Sequence, residues 1–544
     1  MSNVPFVRQL DKQSGVQLNP LRDASEIPSG TNSDQVFAIA MRATRGRIDK
    51  PFVVTRANVK SKLGKGEQMR VSALNEAWVH VNEALNNGAA AAVVHRLTTS
   101  AAVIKWAVLS KDGTSFSVVD TAPESDFLLA FHHLDCFNDG IVLSYHADSV
   151  RSGGLLQPTS MITVRLSDRD GAVLHEYTGS LQSDATDDYG ESLFLPDVIA
   201  ERTEGLVVLV GVSGDEAVIQ PASAAYGVNS AGAQKWVKSD VLLCFVEGGS
   251  AYSVDDYTTA RTRLQRTPLA YGFISSGGSM APGLIGQLVQ LAYDTNRQFR
   301  FDVPGSLTPQ AAAAFVEQLN VGASQTAQLV HVYWAPLKTS DPTSINPKGY
   351  FGVATLNIAY ACARNAVKNA KGFAPKNYPI AGREWPINRG NVTQTYDCEE
   401  DELSDLAKAK INPVIHQEYT GGGRYVFYDS LTSAKVDVSL KALISVADMS
   451  SSIDLAVTTF CKDSLQLPME ESIRRDNRYL EKLFQDAEDS GWLKPSDDPA
   501  MEGKSFRFEV VASQVRPYDT KIVNYWLRYD GTNRQTFVTQ TLTR

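Results

Sequence analysis

The feature that most constrains this chain is a change of texture that happens twice. Between about residues 35 and 97 the pattern reads strand, glycine turn, strand, amphipathic helix, strand. From about 110 to 235 it becomes short alternating runs parted by turn residues, and after about 240 the strand and helix alternation resumes. Strand–helix–strand succession calls for a sheet covered by helices, whereas alternating runs call for antiparallel hairpins. The chain therefore reads as an α/β (α+β) multidomain protein, a split α/β unit interrupted by a β-rich one.

In the first stretch VFAIAM, ending at Met41, is a strand, and RATRGRIDKPFVVT sets a glycine turn before a second strand. SALNEAWVHVNEALNNG carries Leu74, Ala77, Trp78, Val81 and Leu85 at helical spacing, closed by Gly88 as the C′ residue. AAAAVVHRL follows as a buried strand. In the middle stretch IVLSY, MITVRL, AVLHEY and GLVVLVGV are strands, with DRDG as a hairpin turn between the second and third. Beyond residue 240, LLCFV is strand-like, APGLIGQLVQLAYDTN is an amphipathic helix, and RFDVP ends a strand. TPQAAAAFVEQLN is a helix with Thr308 and Pro309 as N-cap and N1, and QLVHVYWAP is another strand. Two long helices follow, the second with Ile473, Leu480, Leu483, Phe484 and Ala487 on one face. The chain ends in strand-forming runs, SFRFEVV and KIVNYWLRYDGTNRQTFVTQTL, where DGTN is expected to join the last two runs as a hairpin-like turn.

These patterns divide the 544 residues into an N-terminal arm or linker at 1–33 and a first part of the α/β core at 34–110. A β-rich inserted outer domain spans 111–238, and the second part of the core spans 239–395. A C-terminal domain covers 396–520 and a C-terminal β arm covers 521–544. A composition of 43% hydrophobic and 21% charged residues supports globular cores of this kind. The charge balance, 52 − 61 = −9, argues against a general nucleic-acid binder, which needs a basic face to displace phosphate counterions. The opening MSNVPFVRQLDKQSG has Arg8, Asp11 and Lys12 where a secretory signal needs an unbroken apolar core. No stretch reaches the length of a membrane span. Cys136, Cys244, Cys362, Cys398 and Cys461 form no CxxC pair, so buried free thiols are expected, although a disulfide between subunits is chemically permitted outside a cell.

A search for catalytic chemistry finds none. HHLDC places His132, His133 and Cys136 together, but no second pair stands at zinc spacing and there is no HExxH, so a packed histidine pair is expected. The glycines at 421–423 lack the Lys-Ser/Thr of a phosphate loop, and ISSGGSM lacks the order of a GxSxG elbow. The acidic run Glu399, Glu400, Asp401 and Glu402 reads as a solvated face. The chain is expected to be no enzyme, and no cofactor or metal is expected.

Several motifs, in order along most of the chain, resemble contractile tail sheath proteins of myovirus-type bacteriophages and related injection systems. AIAMRATRGRIDKPFVVTRANVKSKLG is similar to that family's opening strand, its Arg-Gly turn (here Arg45-Gly46) and its Phe/Leu-Gly ending (here Leu63-Gly64). NEALNNGAAAAVVHRL matches a helix ending in glycine and a Val-x-Arg strand. RQFRFDVPGSLTP resembles the family's aspartate-proline strand end at Asp302 and Pro304. QLVHVYWAPLKTSDPTSINPKGYFGVATLNIAYACARNAVKNAKGFAPKN follows the family's order of strand, turn, helix and Ala-Pro segment. KAKINPVIHQEYTGGGRYVFYDSLT and EESIRRDNRYLEKLFQDAEDSGWL parallel its late strand pair and penultimate helix. The usual Pro-Gly-Val-Tyr start is replaced by VPFVRQL, the Pro-Pro-Ser-Gly turn by Asn346-Pro347-Lys348-Gly349, and a Trp-Gly by Phe427-Tyr428.

The resemblance implies a structural virion protein that polymerises into stacked six-subunit rings around a tail tube and contracts to drive the tube through a host envelope for genome delivery. Its implied partners are further copies of itself, the tail tube protein, and baseplate and tail terminator or neck proteins, with no nucleic acid and no direct membrane insertion. Its implied place is the phage tail of the virion, assembled in the host cytoplasm. Another tail structural protein, a tube or baseplate component, is the alternative. The resemblance further implies terminal arms that add strands to neighbouring subunits, here Phe6 and Val7 at the start and Val523, Tyr525, Leu527, Phe537, Val538 and Leu542 at the end. A private C-terminal hairpin on the chain's own core is the competing reading. Lys60, Lys62, Lys65 and Arg70, with Arg474, Arg475 and Arg478, are candidate contacts to the tube or a neighbour, against the reading that each is an exposed charge of small consequence. Residues 15–33 and the 511–522 loop are expected to act as hinges, and the β-rich insertion is expected on the outer surface.

Overall fold

The computed structural model describes residues 33–69, 76–147, 161–211, 236–249, 251–324 and 326–541. Phe6, Val7, Arg70, Leu74 and Leu542, named above, lie outside the described residues, as do hinge residues 15–32. The chain is a mixed α/β protein with several sheets.

The largest sheet has eight strands in the order Phe52–Val54, Ala91–Arg96, Val36–Met41, Phe273–Ser275, Gln298–Val303, Val330–Trp334, Ile411–Tyr419 and Gly422–Phe427. Its inner six strands run parallel and its two outer strands antiparallel to their neighbours. VFAIAM, AAVVHR and QFRFDV are buried at every position, because a parallel sheet with helices on both sides leaves neither face wet. The helices Glu76–Asn86 and Ala354–Ala366 cover one face, packing Trp78, Val81, Leu85 and Leu356 onto Phe37, Ile39 and Val94. The helices Val254–Arg266, Pro282–Thr295 and Pro309–Leu319 cover the other, around Ala38, Ile274, Phe299 and Val332. Gly88 ends its helix at φ +125°, and the Thr308 hydroxyl accepts from Ala311 N with Pro309 at N1.

Between Ala91–Arg96 and Phe273–Ser275 the chain makes two four-stranded antiparallel sheets. One orders Val173–Ser180, Met161–Asp168, Ile141–Ala147 and Val237–Lys238; the other orders Leu206–Val210, Phe127–His133, Trp106–Ser110 and Phe116–Val119. They share an apolar core that includes Leu109, Phe131, Leu143, Val164, Tyr177 and Leu206. The DRDG turn is where the sequence puts it: Asp168 Oδ1 accepts from Asp170 N and Ala172 N at 3.0 and 2.9 Å, and Gly171 takes φ +88°. The first strand of this unit, Trp106–Ser110, lies upstream of the expected start at 111. LLCFV contributes only the two-residue strand Phe245–Val246 and a bridge from Leu242 to Ile141.

The C-terminal part packs the helices Ile444–Asp463 and Met469–Asp489 against a hairpin of Phe506–Ala512 and Lys521–Leu527. This corrects the expected turn. DGTN joins no strand pair, since Lys521–Leu527 pairs with Phe506–Ala512 and the described residues from 530 onward form no strand. The physical reason is facial matching. Phe506, Phe508 and Val510 pair across the ladder with Leu527, Tyr525 and Val523, giving one apolar face that seats on Leu480 and Phe484. The 511–522 segment is likewise closed, with Ser513 N bonding Thr520 O at 2.8 Å and Thr520 N bonding Arg516 O at 3.1 Å. It is the loop of a packed hairpin.

Candidate assembly surfaces

The insertion is joined to the core by buried arginines. Gly46 turns the chain at φ +122°, where a Cβ would stand 2.6 Å from Phe52 Cζ. The turn aims Arg45, almost fully buried, at Asp139, whose Oδ2 accepts from Nε at 3.1 Å, with Asp168 3.4 Å away. Arg96 ends a core strand and is 0% exposed. Its Nη2 donates to Glu247 Oε2 at 2.7 Å and Asn138 Oδ1 at 3.0 Å, and its Nη1 to Gly46 O at 3.1 Å and to Cys136 O. Asn138 N donates in turn to Thr44 O, and Gly46 N to Asp135 O. These bonds tie the 134–140 loop to the core at the carboxyl ends of the parallel strands. The sequence signal was a charged residue closing the otherwise apolar AAAAVVHRL.

The basic candidates are divided by the same junction. Lys62 pairs with Asp135 at 3.1 Å and Lys65 pairs with Asp170 of the DRDG turn, so both lie on the insertion of their own chain. Lys60 is exposed. Arg474 pairs with Glu471 one helical turn away, while Arg475 and Arg478 project from the same exposed side of Met469–Asp489. The acidic run forms the first turn of the helix Glu400–Lys408, where Glu399 and Glu402 make a capping box. Glu402 also accepts from the Tyr396 hydroxyl and from Gln310 Nε2. A cavity of about 960 Å³ opens between core and insertion, with Lys50, Arg202, Arg263 and Arg266 among its walls.

Of the candidate arm residues, Val523, Tyr525 and Leu527 pack into the hairpin's inner face. Rings of Phe506, Phe508 and Tyr525 stand 5.6–5.8 Å from Phe484. The hairpin is further held by Lys521, which pairs with the fully buried Asp476 and donates to Ser464 Oγ and Ser472 Oγ at 3.0 and 2.7 Å. Its outer face carries Val511, Ile522 and Trp526 exposed, with Arg507 5.3 Å over the indole. Among the described residues this sheet has only two strands, so both of its long edges are unpaired.

The tail beyond the hairpin is anchored at its root and exposed just past that anchor. Arg534 grips Asp429 with both nitrogens, Nε to Oδ1 at 2.7 Å and Nη2 to Oδ2 at 2.5 Å, and Thr532 Oγ1 lies 3.0 Å from Ser445 Oγ. Past that anchor Phe537 is 91% and Val538 89% exposed. A β-branched and aromatic run left in water is strand-forming sequence without a strand partner among the described residues.

Burial pushes His80, His95 and His331 down to about 3 and His133 down to about 4, so each is neutral in the fold. His133 Nδ1 accepts from Asp135 N at 3.0 Å, consistent with a packed histidine. Burial pushes the Cys136, Cys244 and Cys362 thiols up to about 12, and all five cysteines are free. Asp302 shows why the family-like strand end carries an aspartate. Its Oδ1 accepts from Val353 N and Ala354 N at 2.6 and 2.9 Å, capping the helix Ala354–Ala366, and Gly352 leaves room where a Cβ would strike the carboxylate. Arg389 and Glu83 form a doubly bonded buried pair that sequence reading missed, because its members stand 306 positions apart. Among the described residues no His/Cys/Asp/Glu group could hold a metal ion, and no helix is long and apolar enough to cross a membrane.

No protein-family model matches the chain, and no curated protein matches it. Among solved structures it is similar to a sheath tail protein from Desulfitobacterium hafniense, at 13% identity and a TM-score of 0.47, over 95% of this chain and 100% of that one. A chain in the sheath complex of the extracellular contractile injection system PVC, in its contracted state, is similar at 12% identity and a TM-score of 0.40, over 57% and 77%. A chain in the anti-feeding prophage baseplate is similar at 12% identity and a TM-score of 0.38, over 56% and 78%. These structural neighbours are a sheath tail protein and chains of contractile injection systems.

Proposed function

We propose that this chain is the subunit of a contractile tail sheath, forming stacked six-subunit rings around a tail tube and contracting to drive that tube through a host envelope for genome delivery. The observation that carries the reading is the C-terminal tail. It is fixed by Arg534 on Asp429 and then presents Phe537 and Val538 to solvent, as an extended arm needs to before it finds a neighbour. The unpaired edges of the Phe506–Ala512 and Lys521–Leu527 hairpin are the acceptors, with the arm of one copy adding a strand to another. Each backbone hydrogen bond contributes about 0.5–1.5 kcal/mol net, so a joint of several bonds holds while remaining short of a fused core.

Contraction in this account needs no catalytic step. The extended lattice is metastable behind a kinetic barrier, and subunits move as near-rigid bodies linked by their arms. The buried arginine junction supports the rigid-body part, because it makes insertion and core one unit. The pivot falls at the tail past Arg534, since the 511–522 segment is closed. Arg475 and Arg478, exposed on Met469–Asp489, are offered to the tube or a neighbour, and the insertion faces outward. The further partners are tube, baseplate and terminator or neck proteins, with no nucleic acid and no membrane insertion, and the site of action is the tail of a virion assembled in the host cytoplasm. Electron microscopy of the purified chain tests the reading. Hollow rods wide enough to enclose a tube support it; thin tubes or discrete particles overturn it in favour of a tube or baseplate component.

A further inference from the structure

The order of the large sheet leaves one place where the chain's crossovers part. From Val36–Met41 the chain moves to Ala91–Arg96 on one side, whereas Phe273–Ser275 lies on the other side and leads outward to Gln298–Val303 and Val330–Trp334. Loops at the carboxyl ends of two such central strands diverge, and open α/β sheets bind ligands in the crevice between them. A cavity of about 320 Å³ lies there, walled by Arg42 after the first strand, Ser276 and Gly277 after the second, and Tyr252, Tyr257 and Ala281.

Two independent features give this cavity its chemistry. The helix Pro282–Thr295 starts at its wall with Ala281 as N-cap, so no side chain caps the first turn, and the first bond into the helix is Ile285 N to Ala281 O. Pro282 has no N–H, so the free leading donors are those of Gly283 and Leu284, which with the helix dipole favour an anion. Separately, Ser276 is fully buried and its hydroxyl has no hydrogen-bond partner. Strand alternation gives its direction. Phe273 lies in the layer of Ala354–Ala366, and Ser275 Oγ reaches Thr355 Oγ1 there at 2.8 Å. Ile274 lies in the opposite layer with Leu284, and Ser276, two residues on, faces the same way, toward the cavity. A buried hydroxyl left without a partner is destabilising, which a ligand acceptor would offset. Arg42 stands 4.9 Å over the Tyr252 ring at the same wall, and the Tyr252 and Tyr257 rings, 5.8 Å apart and tilted by 53°, offer aromatic surface beside the anion position. Glu76, an exposed residue, also lines the cavity.

We propose that this crevice binds a small phosphate monoester carrying a flat ring, with the phosphate at the first turn of Pro282–Thr295 beside Ser276 and the ring against Tyr252 and Tyr257. Donors arriving from the helix, the Ser276 hydroxyl and Arg42 surround a tetrahedral oxyanion better than a planar carboxylate. The site does not depend on the chain's role in assembly. Isothermal titration of the full chain with phenyl phosphate, inorganic phosphate and phenol tests it. The expected result is saturable binding of phenyl phosphate at one site, weaker binding of inorganic phosphate and none of phenol. Ser276→Ala is expected to lower phenyl phosphate affinity about tenfold or more without lowering the thermal midpoint. Tyr252→Leu should remove the preference for phenyl phosphate over inorganic phosphate. Arg266→Ala, in the larger basic cavity, should change neither affinity. Absence of saturable binding, full affinity in Ser276→Ala, or loss of binding in Arg266→Ala would each overturn the proposal.

Discussion

Replacing Arg96 by methionine keeps a long apolar stem and removes the guanidinium on which the junction between core and insertion turns. Removing one partner of a buried ion pair costs about 3–5 kcal/mol, and here the group that loses its charge partner is Glu247, bonded at 2.7 Å and left with Asn138 Nδ2 at 2.9 Å. Two carbonyls, Gly46 O and Cys136 O, also lose their donor, and the stacking of Arg96 on Phe245 at 4.7 Å contributes about 0.5–2 kcal/mol more. These terms overlap, so the expected loss is about 4–6 kcal/mol, a large share of the roughly 5–15 kcal/mol that holds a typical domain. The location of the loss tests the reasoning more sharply than its size. Cys136 and Asn138 belong to the insertion, so amide exchange in Phe127–His133, the 134–140 loop and Ile141–Ala147 should accelerate well before exchange in Val36–Met41. Urea unfolding gives the energy and hydrogen-exchange mass spectrometry the location. A loss under about 1 kcal/mol, or exchange that rises evenly through core and insertion, would refute the claim that this arginine couples the two.

Other consequences are equally direct. The buried histidines are neutral in the fold but titrate near 6.5 when unfolded, so the unfolded chain binds more protons between about pH 6.5 and 3, and stability falls as pH drops through that window. Each histidine accounts for about 2 kcal/mol at pH 5, and thermal melts at pH 7 and 5 with equal midpoints would contradict this. Gly46→Ala should cost about 2 kcal/mol or more, because φ +122° and the Phe52 ring both oppose a Cβ; a denaturant midpoint unchanged from the parent would count against it. Lys521→Met strands the buried Asp476 carboxylate and should cost about 3–5 kcal/mol in urea unfolding, with the hairpin exchanging first; a neutral result would show the pair is dispensable.

Much of the architecture was legible because periodicity reports burial. Strands such as VFAIAM and QFRFDV are apolar throughout since both faces are covered, and the DRDG turn announces itself through Asp168 and Gly171. The C-terminus was harder for a specific reason. RQTFVTQTL alternates as plausibly as SFRFEVV does, and only the apolar face of Met469–Asp489 decides that SFRFEVV becomes the partner of KIVNYWL. The run holding Phe537 and Val538 was nonetheless visible as strand-forming sequence, although the mate expected for it across DGTN pairs elsewhere. Long-range polar partners were not legible. Nothing in the local pattern ties Lys62 to Asp135 or Arg389 to Glu83, since side chains distant in sequence meet only once the sheets are in place.

The most direct measurement removes residues 536–544. The deletion leaves the Arg534–Asp429 anchor, the hairpin and every described core intact, so the thermal midpoint should stay within about 1 kcal/mol equivalent of the parent. Electron microscopy and sedimentation of parent and truncated chains should then show rods from the parent and folded, soluble, unassembled subunits from the truncation. Rods of normal length and width from the truncated chain would contradict the claim that this tail joins one subunit to the next.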